Sequence, residues 1–465
     1  MSILGSINSV NRGIIAVPSK SPELLMKKPE LLSPAGTFKN MRYAFGYGAD
    51  SVYAGQPRYS LRVRNNDFNQ LDNLARGIEY AHERGKQFYI ASNIQAHNDK
   101  VRSYLRDMEP IIKMGPDALI MSDPGLIMLV REKWPEMPIH LSVQANAVNH
   151  ASVRFWQQAG LTRVILSREL SLGEIEEIRN QCPDIELEVF VHGALCIAYS
   201  GRCLLSGYMS HRDSNQGACT NSCRWKYQAH AAVENDNGDI VPQVAQKEAG
   251  QTQDPGVFLL QEAGRPEEYM PAFEDEHGTY IMNSKDLRAV QHVGRLTRMG
   301  IDSLKIEGRT KSHYYVARTA QVYRWAIDQA AAGEAFDMEL MDELEKLARR
   351  GYTEGFYRRH PPAEYQNYEQ GKSETDTQQF VGEVLEYDGA SGLLRVDVKN
   401  RFDTGDRVEL MTPAGNIDFT VPVMLDKKGR HCKEAPGSGH IVQIPLEQSH
   451  LTQAQAEFAL LARYL

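Results

Sequence analysis

The sequence predicts an α/β protein: a (β/α)8 barrel of the TIM type with a long insertion after its seventh strand, followed by a small all-β barrel domain. Three observations carry this. From about residue 29 to about residue 335, short β-branched runs ending in a small or polar residue alternate with stretches of helical period, the pattern of parallel strands joined by helices. So many such units before any change of texture favour closure into a barrel. Beyond about residue 376 the helical period gives way to short alternating runs separated by turn residues.

The barrel strands are read in order as ELLSPAG (30–36), SVYAG (51–55), QFYIASN (87–93), ALIMSD (118–123), IHLSVQ (139–144), RVILSR (163–168), ELEVFVHG (186–193) and SLKIEGR (303–309). A ninth run, YIMNS (280–284), is one more than the barrel takes and is assigned as the return arm of a hairpin. The insertion, 228–279, is rich in Gln, Glu, Asp and Gly. Within it VENDNGDIV carries an Asn-Gly hairpin turn, AFEDEHGTYIMN reads as a second hairpin, and QVAQKEAGQTQDPG between them reads as a mobile loop. Insertions of this length usually lie over a barrel's active face. SHYYVARTAQVYRWAIDQAAAG is the last barrel helix, closed by Gly333, and DMELMDELEKLARRGY is a further helix. Residues 1–27 are expected to be a disordered tail, 28–335 the barrel, 336–375 the extra helix and a Pro/Gln/Tyr-rich linker, and 376–465 the β-domain. That domain carries no catalytic set and reads as a binding or docking module.

An apolar fraction of 42% and a charged fraction of 24% are those of a globular chain, and no run of about 18 apolar residues predicts a membrane span. The N-terminus has no basic segment ahead of its short apolar stretch GIIAV, so a cytoplasmic protein is expected. A net charge of -8 argues against nucleic-acid binding by bulk electrostatics; any such contact must be a local basic patch. Phosphate-loop, HExxH, GxSxG and GxGxxG patterns are absent, which removes support for nucleotide hydrolysis, zincin proteolysis and serine hydrolysis.

The chain has six cysteines, and Cys196, Cys203, Cys219 and Cys223 lie close together. In a reducing compartment that clustering points to metal ligands. If their segments are helical, each pair projects from one face, and two facing pairs make a four-thiolate cage for zinc or an iron-sulfur cluster. The six residues between Cys196 and Cys203 are wide for a zinc knuckle, and Gly193, Gly201, Gly207 and Gly217, with Arg202 and Arg224, suit an anionic cluster better. Cys182 and Cys432 read as lone thiols.

Cys196 follows the seventh strand, on the side where a barrel builds its active face. His192, which can titrate near neutrality, is the leading candidate proton carrier, with Arg168 and Glu169 completing the candidate catalytic set. Ser33, Asn93, Asp123, Gln144, Asn146, Lys305, Glu307 and Arg309 fall at equivalent strand ends. The loop GQPRYSLRVRNNDF sets Arg58, Arg62 and Arg64 beside Tyr59 and Phe68, a mix that suits carboxylates, phosphates and stacked rings. Arg62, Arg64, Lys285 and Arg309 are the candidate substrate-binding cations, with Lys311 adding positive charge.

The stretch EVFVHGALCIAYSGRCLLS, together with PELLSPAG, DSVYAG, HLSVQANAVN, MNSKDL and SLKIEGRTKSHYYVAR, resembles the U32 family, long labelled peptidases without an assigned catalytic type. The resemblance covers residues 28–465, and within the family it is strongest to members that modify tRNA. It implies a cytosolic protein that hydroxylates C5 of a wobble uridine in tRNA, with prephenate in place of dioxygen and dependence on the iron-sulfur assembly machinery. Carried over by motif, Cys196, Cys203, Cys219 and Cys223 would hold a 4Fe-4S cluster. A U32-type peptidase is the alternative enzyme, but four thiols at ligand spacing share a metal and lose nucleophilicity. A tRNA-binding protein with a structural cluster is the non-enzymatic alternative, with Lys427, Lys428, Arg430 and Lys433 as its candidate contact.

Overall fold

A computed structural model describes residues 26–56, 58–61, 66–195, 286–347, 351–358, 377–446 and 452–465, with the backbone of five strands between residues 227 and 279. Seven parallel strands follow one another around a sheet: β1 (Glu30–Pro34), β2 (Ser51–Gly55), β3 (Gln87–Ser92), β4 (Ala118–Met121), β5 (Ile139–Leu141), β6 (Arg163–Ile165) and β7 (Glu186–Ala194). The insertion forms its own antiparallel sheet of β8 (Tyr227–Glu234), β9 (Ile240–Pro242), β10 (Val257–Glu262), β11 (Tyr269–Asp275) and β12 (Gly278–Thr279). β13 (Asp286–Arg288) follows, and β14 (Ser303–Ile306) pairs in parallel with both β1 and β7, closing the barrel. SLKIEGR is therefore the eighth strand, as expected. Both expected hairpins of the insertion are present, Glu234 opposite Ile240 and Asp275 opposite Gly278. β10 has no counterpart among the expected elements, and YIMNS lies outside the described residues.

Several helices start at a residue whose side chain caps the first turn. Thr37 caps α1 (Phe38–Gly46), and α2 (Leu71–His82) and α3 (Asn98–Lys113) follow. Asp123 caps α4 (Pro124–Lys133) with Pro124 at the first helical position, and Asn149 caps α5 (His150–Gln158). Ser171 and Glu174 form a reciprocal capping box at α6 (Leu172–Gln181). After α7 (Val293–Arg298), Ser312 caps α8 (His313–Ala331), and α9 (Glu339–Glu345) follows. Barrel strands are covered on both faces, by helices outside and side chains inside, so runs such as SVYAG are wholly buried and read as unbroken apolar segments. Among the described residues no helix is long and apolar enough to cross a membrane.

β7 is nine residues long and outruns β14, and its free end pairs antiparallel with β13, which in turn pairs with β15 (Tyr352–Thr353). The C-terminal domain is antiparallel. It comprises β16 (Gln378–Asp388), β17 (Leu393–Val398), β18 (Phe402–Asp403), β19 (Arg407–Thr412), β20 (Gly415–Thr420), β21 (Met424–Leu425), β22 (His431–Cys432), β23 (Glu434–Ala435), β24 (Ile441–Pro445) and β25 (Leu460–Tyr464).

This domain packs directly on the barrel, since its Met411, Leu460 and Ala462 are buried in the barrel's own apolar cluster. Polar contacts fix the docking. The Tyr47 hydroxyl lies 2.9 Å from the Met411 carbonyl and 2.8 Å from that of Phe458. Arg318 of α8, fully buried, pairs with Glu343 of α9 and Glu409 of β19, while Lys346 lies 2.7 Å from Glu409. A second cluster joins Lys39 and His313 to Glu383. Burial alone would raise the Glu383 carboxyl, but hydrogen bonds from His313 and Lys39 outweigh it and hold it at about 2.

Candidate active site

The barrel strands converge on a pocket at their C-terminal ends, where this architecture places its chemistry. It encloses about 90 Å³ and is lined by Tyr53, Leu61, Ala91, Asn93, Ile120, Ser142, Val143, Gln144, Ile165, Arg168, Phe190, Lys305, Glu307 and Arg309. Of the strand-end residues singled out from the sequence, Asn93, Gln144, Arg168, Lys305, Glu307 and Arg309 meet here. The others have local duties. Asp123 caps α4 and also accepts the Ala96 amide, Asn146 sits in the left-handed region ending a 3-10 turn, and Glu169 accepts the Ser167 hydroxyl. Ser33 is fully buried and is not among the lining residues.

Beneath the pocket runs a buried ionic chain that sequence reasoning missed. Arg163, at the start of β6, pairs with Glu30 at 2.7 Å and with Glu188 at 3.1 Å, and Glu188 pairs with Lys305 at 2.8 Å. All four strands involved present these groups to the barrel interior. Burial by itself would raise the Glu188 carboxyl, but Lys305 and Arg163 overcome it and keep it lowered. Burial lowers the Lys305 ammonium, opposed by Glu188. The Lys305 nitrogen lies 4.4 Å from the centroid of the Tyr53 ring, at the pocket floor. Arg309 donates to the Ser60 hydroxyl at 2.9 Å; a Cβ on Gly55 would fall 2.7 Å from its Nη1, so that glycine makes room for the guanidinium.

His192 does not join them. Lys305 lies opposite Phe190 and Ile306 opposite His192, so Val191 is an extra residue in β7. This bulge reverses the alternation: Glu188 and Phe190 face the barrel interior, whereas the His192 ring packs outward against Tyr315, Tyr323 and Tyr352 at 5.4–5.7 Å. Burial, reinforced by Lys311 and Arg288, holds its pKa at about 3, so the expectation of titration near neutrality is corrected: the ring is neutral throughout the physiological range. Gly193 permits a close backbone approach. Its φ is +102°, and a Cβ there would fall 2.3 Å from the Glu307 carbonyl oxygen, so it serves the close approach of β7 to the end of β14.

A pH prediction follows from the neutral ring. A histidine whose folded pKa is depressed contributes full stability above its unfolded pKa of about 6.5 and loses it as pH falls toward about 3. At pH 5 the loss is about 2 kcal/mol. His192→Phe is expected to keep the ring packing and to narrow the fall in thermal midpoint between neutral pH and about pH 5; an unchanged fall would contradict this assignment.

The loop after β2 is also corrected in part. Tyr59 and Phe68 are fully buried, Tyr59 hydrogen-bonded to Asp107 at 2.7 Å and Phe68 edge-on to Phe88, so neither presents a face for stacking on a ligand. Arg58 pairs with Asp107. Arg62, Arg64, Lys285, Cys196, Cys203, Cys219 and Cys223 lie outside the described residues. Their neighbours in sequence mark where those segments join the barrel. Leu61 lines the pocket, and Arg168, stacked 4.4 Å from the Phe190 centroid, donates to the carbonyl of Ala194, two residues before Cys196. Among the described residues no three His, Cys, Asp or Glu side chains converge as metal ligands.

Comparison with known proteins adds to this geometry. Sequence models described as "Peptidase family U32" and "Peptidase family U32 C-terminal domain" match residues 36–367 and 376–456. The chain is 64% identical over 446 residues to tRNA hydroxylation protein P of Escherichia coli, covering 94% of this chain and 97% of the relative. It is 61% identical to the protein of the same name in Haemophilus influenzae, covering 94% and 96%. It is also 31% identical to an uncharacterized protease of Methanocaldococcus jannaschii, covering 83% and 87%.

Proposed function

The chain belongs to peptidase family U32, and from that premise we propose that it acts in the prephenate-dependent 5-hydroxylation of a wobble uridine in tRNA. The observation that carries this reading is 64% identity, spread over 94% of the chain, to a tRNA hydroxylation protein. Cys196, Cys203, Cys219 and Cys223 would hold a 4Fe-4S cluster, for which four thiolates are the ordinary donor set. When bound, such a cluster supplies one-electron chemistry at a potential set by its surroundings. The cysteine segment begins directly beyond the end of β7, beside the pocket residue Arg168, which supports a place at the mouth of the barrel. Arg62, Arg64, Lys285 and Arg309 are proposed partners of the prephenate carboxylates, since guanidinium forks match carboxylates. Lys427, Lys428, Arg430 and Lys433 are exposed on the β-domain and are proposed to meet tRNA phosphates. The protein is proposed to act in the cytoplasm and to receive its cluster from the iron-sulfur assembly machinery.

Proteolysis finds no support among the described cysteines. Cys182 is buried and directs its thiol to the His150 carbonyl, and burial together with Asp426 raises the Cys432 thiol, so neither is an activated nucleophile. Two experiments test the proposal. Purified without oxygen, the protein should be brown and contain iron and sulfide; colourless protein with stoichiometric zinc would exclude the cluster. Restoring the gene to a strain that lacks it should restore 5-hydroxyuridine derivatives to bulk tRNA, and no restoration would contradict the activity.

A further inference from the structure

The floor of the barrel pocket has the composition of a binding site for one particular group. Lys305 is buried there with Glu188 on its lower side, and Arg168 lies across the mouth with its guanidinium over Phe190. The lining residues include three cations, Lys305, Arg168 and Arg309, against one carboxylate, Glu307. Gln144 follows β5 and is only 2% exposed; its Nε2 has no hydrogen-bond partner among the described residues, while its Oε1 faces the Ser142 hydroxyl at 3.4 Å. A buried amide donor left without a partner is unfavourable unless something in the cavity accepts from it. The Nε of Arg168 is likewise buried without a partner among the described residues. The remaining wall, from Tyr53, Ile120, Val143, Ile165 and Phe190, is apolar.

We infer that this pocket is a subsite for one carboxylate of a small organic acid: Lys305 and Arg168 neutralise it, Gln144 orients it, and the apolar wall takes the carbon skeleton beside it. Donors and cations on one side with an apolar wall on the other fit an acceptor-only group on a compact apolar body. The enclosed volume, about 90 Å³, lies below the few hundred Å³ of a full ligand pocket, so it takes one end of a molecule and not a nucleotide. Glu307 disfavours a second negative group inside, so further acidic groups of the ligand stay above the floor. The inference rests on the reading above for which acid is bound, and on the pocket alone for the existence of the subsite.

Isothermal titration of the full chain with prephenate, phenylpyruvate and inorganic phosphate tests it. The acids should bind and phosphate should not compete. Gln144→Leu should weaken binding by roughly 10–100-fold, the range for a hydrogen bond to a charged group, without lowering the thermal midpoint. Lys305→Met, checked for folding by its midpoint, should weaken it at least as much. Prephenate binding that neither variant changes would overturn the subsite while leaving prephenate as the cosubstrate. Binding of phenylpyruvate alone, lost in Gln144→Leu, would keep the subsite and remove prephenate from the proposed function. Failure of both acids to bind, or equal competition by phosphate, would overturn the subsite.

Discussion

Replacing Cys219 by serine is expected to remove the iron from the purified protein and to abolish 5-hydroxyuridine formation. Four thiolates at Cys196, Cys203, Cys219 and Cys223 would act as one cage, so the loss of any ligand opens the site to water and exchange. Loss of an outer hydrogen-bond partner of a metal ligand typically lowers affinity or activity by about 10–100-fold, and loss of a ligand itself should exceed that. Cys182→Ser is the internal control. Cys182 is buried at the C-terminal cap of α6 with its thiol directed to the His150 carbonyl, and its replacement should leave iron content and tRNA modification intact. Iron analysis and tRNA nucleoside analysis of both variants decide the matter. Full modification by Cys219→Ser would show that the cysteines are not ligands needed for the reaction.

The largest effect on stability is expected at the junction of the two domains. Arg318 joins α8 to Glu343 of α9 and Glu409 of β19, and Gln378 and Tyr314 complete its surroundings. Arg318→Ala would leave Glu409, 1% exposed, with Lys346 as its remaining cation. Breaking a buried pair by removing one partner destabilises by about 3–5 kcal/mol, because the other charge stays buried. Replacing both, as Arg318→Met with Glu409→Leu, should recover most of that loss. The pH dependence has a definite sign. Burial would raise the Glu409 carboxyl, but Arg318 and Lys346 dominate and hold it at about 2, so its stabilisation is complete above its unfolded pKa of 4.5 and disappears as pH falls toward 2. Thermal unfolding of the three proteins checks this. An unchanged midpoint in Arg318→Ala would mean that the pair does not hold the β-domain in place.

Much of the barrel was legible because its strands are buried on both faces and appear in the sequence as short unbroken apolar runs between helices of clear period. SLKIEGR is the choice for the eighth strand because YIMNS reads as the return arm of a hairpin in the insertion, and the pairing of SLKIEGR with β1 and β7 agrees. VFLLQE of β10 escaped notice because six apolar and polar residues between Gln- and Glu-rich segments give no period to read. The bulge at Val191 is invisible in the sequence, since strand alternation is read along one chain whereas register depends on the partner, so the outward turn of the His192 ring cannot be read there. Tyr59 and Phe68 beside arginines read as a stacking surface, but aromatic side chains near a strand end are as readily taken into the core. The Arg163–Glu188–Lys305 chain was out of reach for a different reason. Its members begin or sit within strands scattered along the sequence, and only barrel closure brings them together. Position at the ends of strands, by contrast, did locate Asn93, Gln144, Arg168, Lys305, Glu307 and Arg309 at the pocket.

Nucleoside analysis is the sharpest test of the proposal that this chain uses prephenate to hydroxylate tRNA. The strain should lack this gene and any dioxygen-dependent hydroxylation of the same uridine, carry the wild-type gene or an empty vector, and have prephenate synthesis intact or blocked. 5-Hydroxyuridine derivatives are expected in bulk tRNA only where the gene and prephenate are both present. Modified uridine in the empty-vector strain, or undiminished modification with prephenate synthesis blocked, would contradict the proposal.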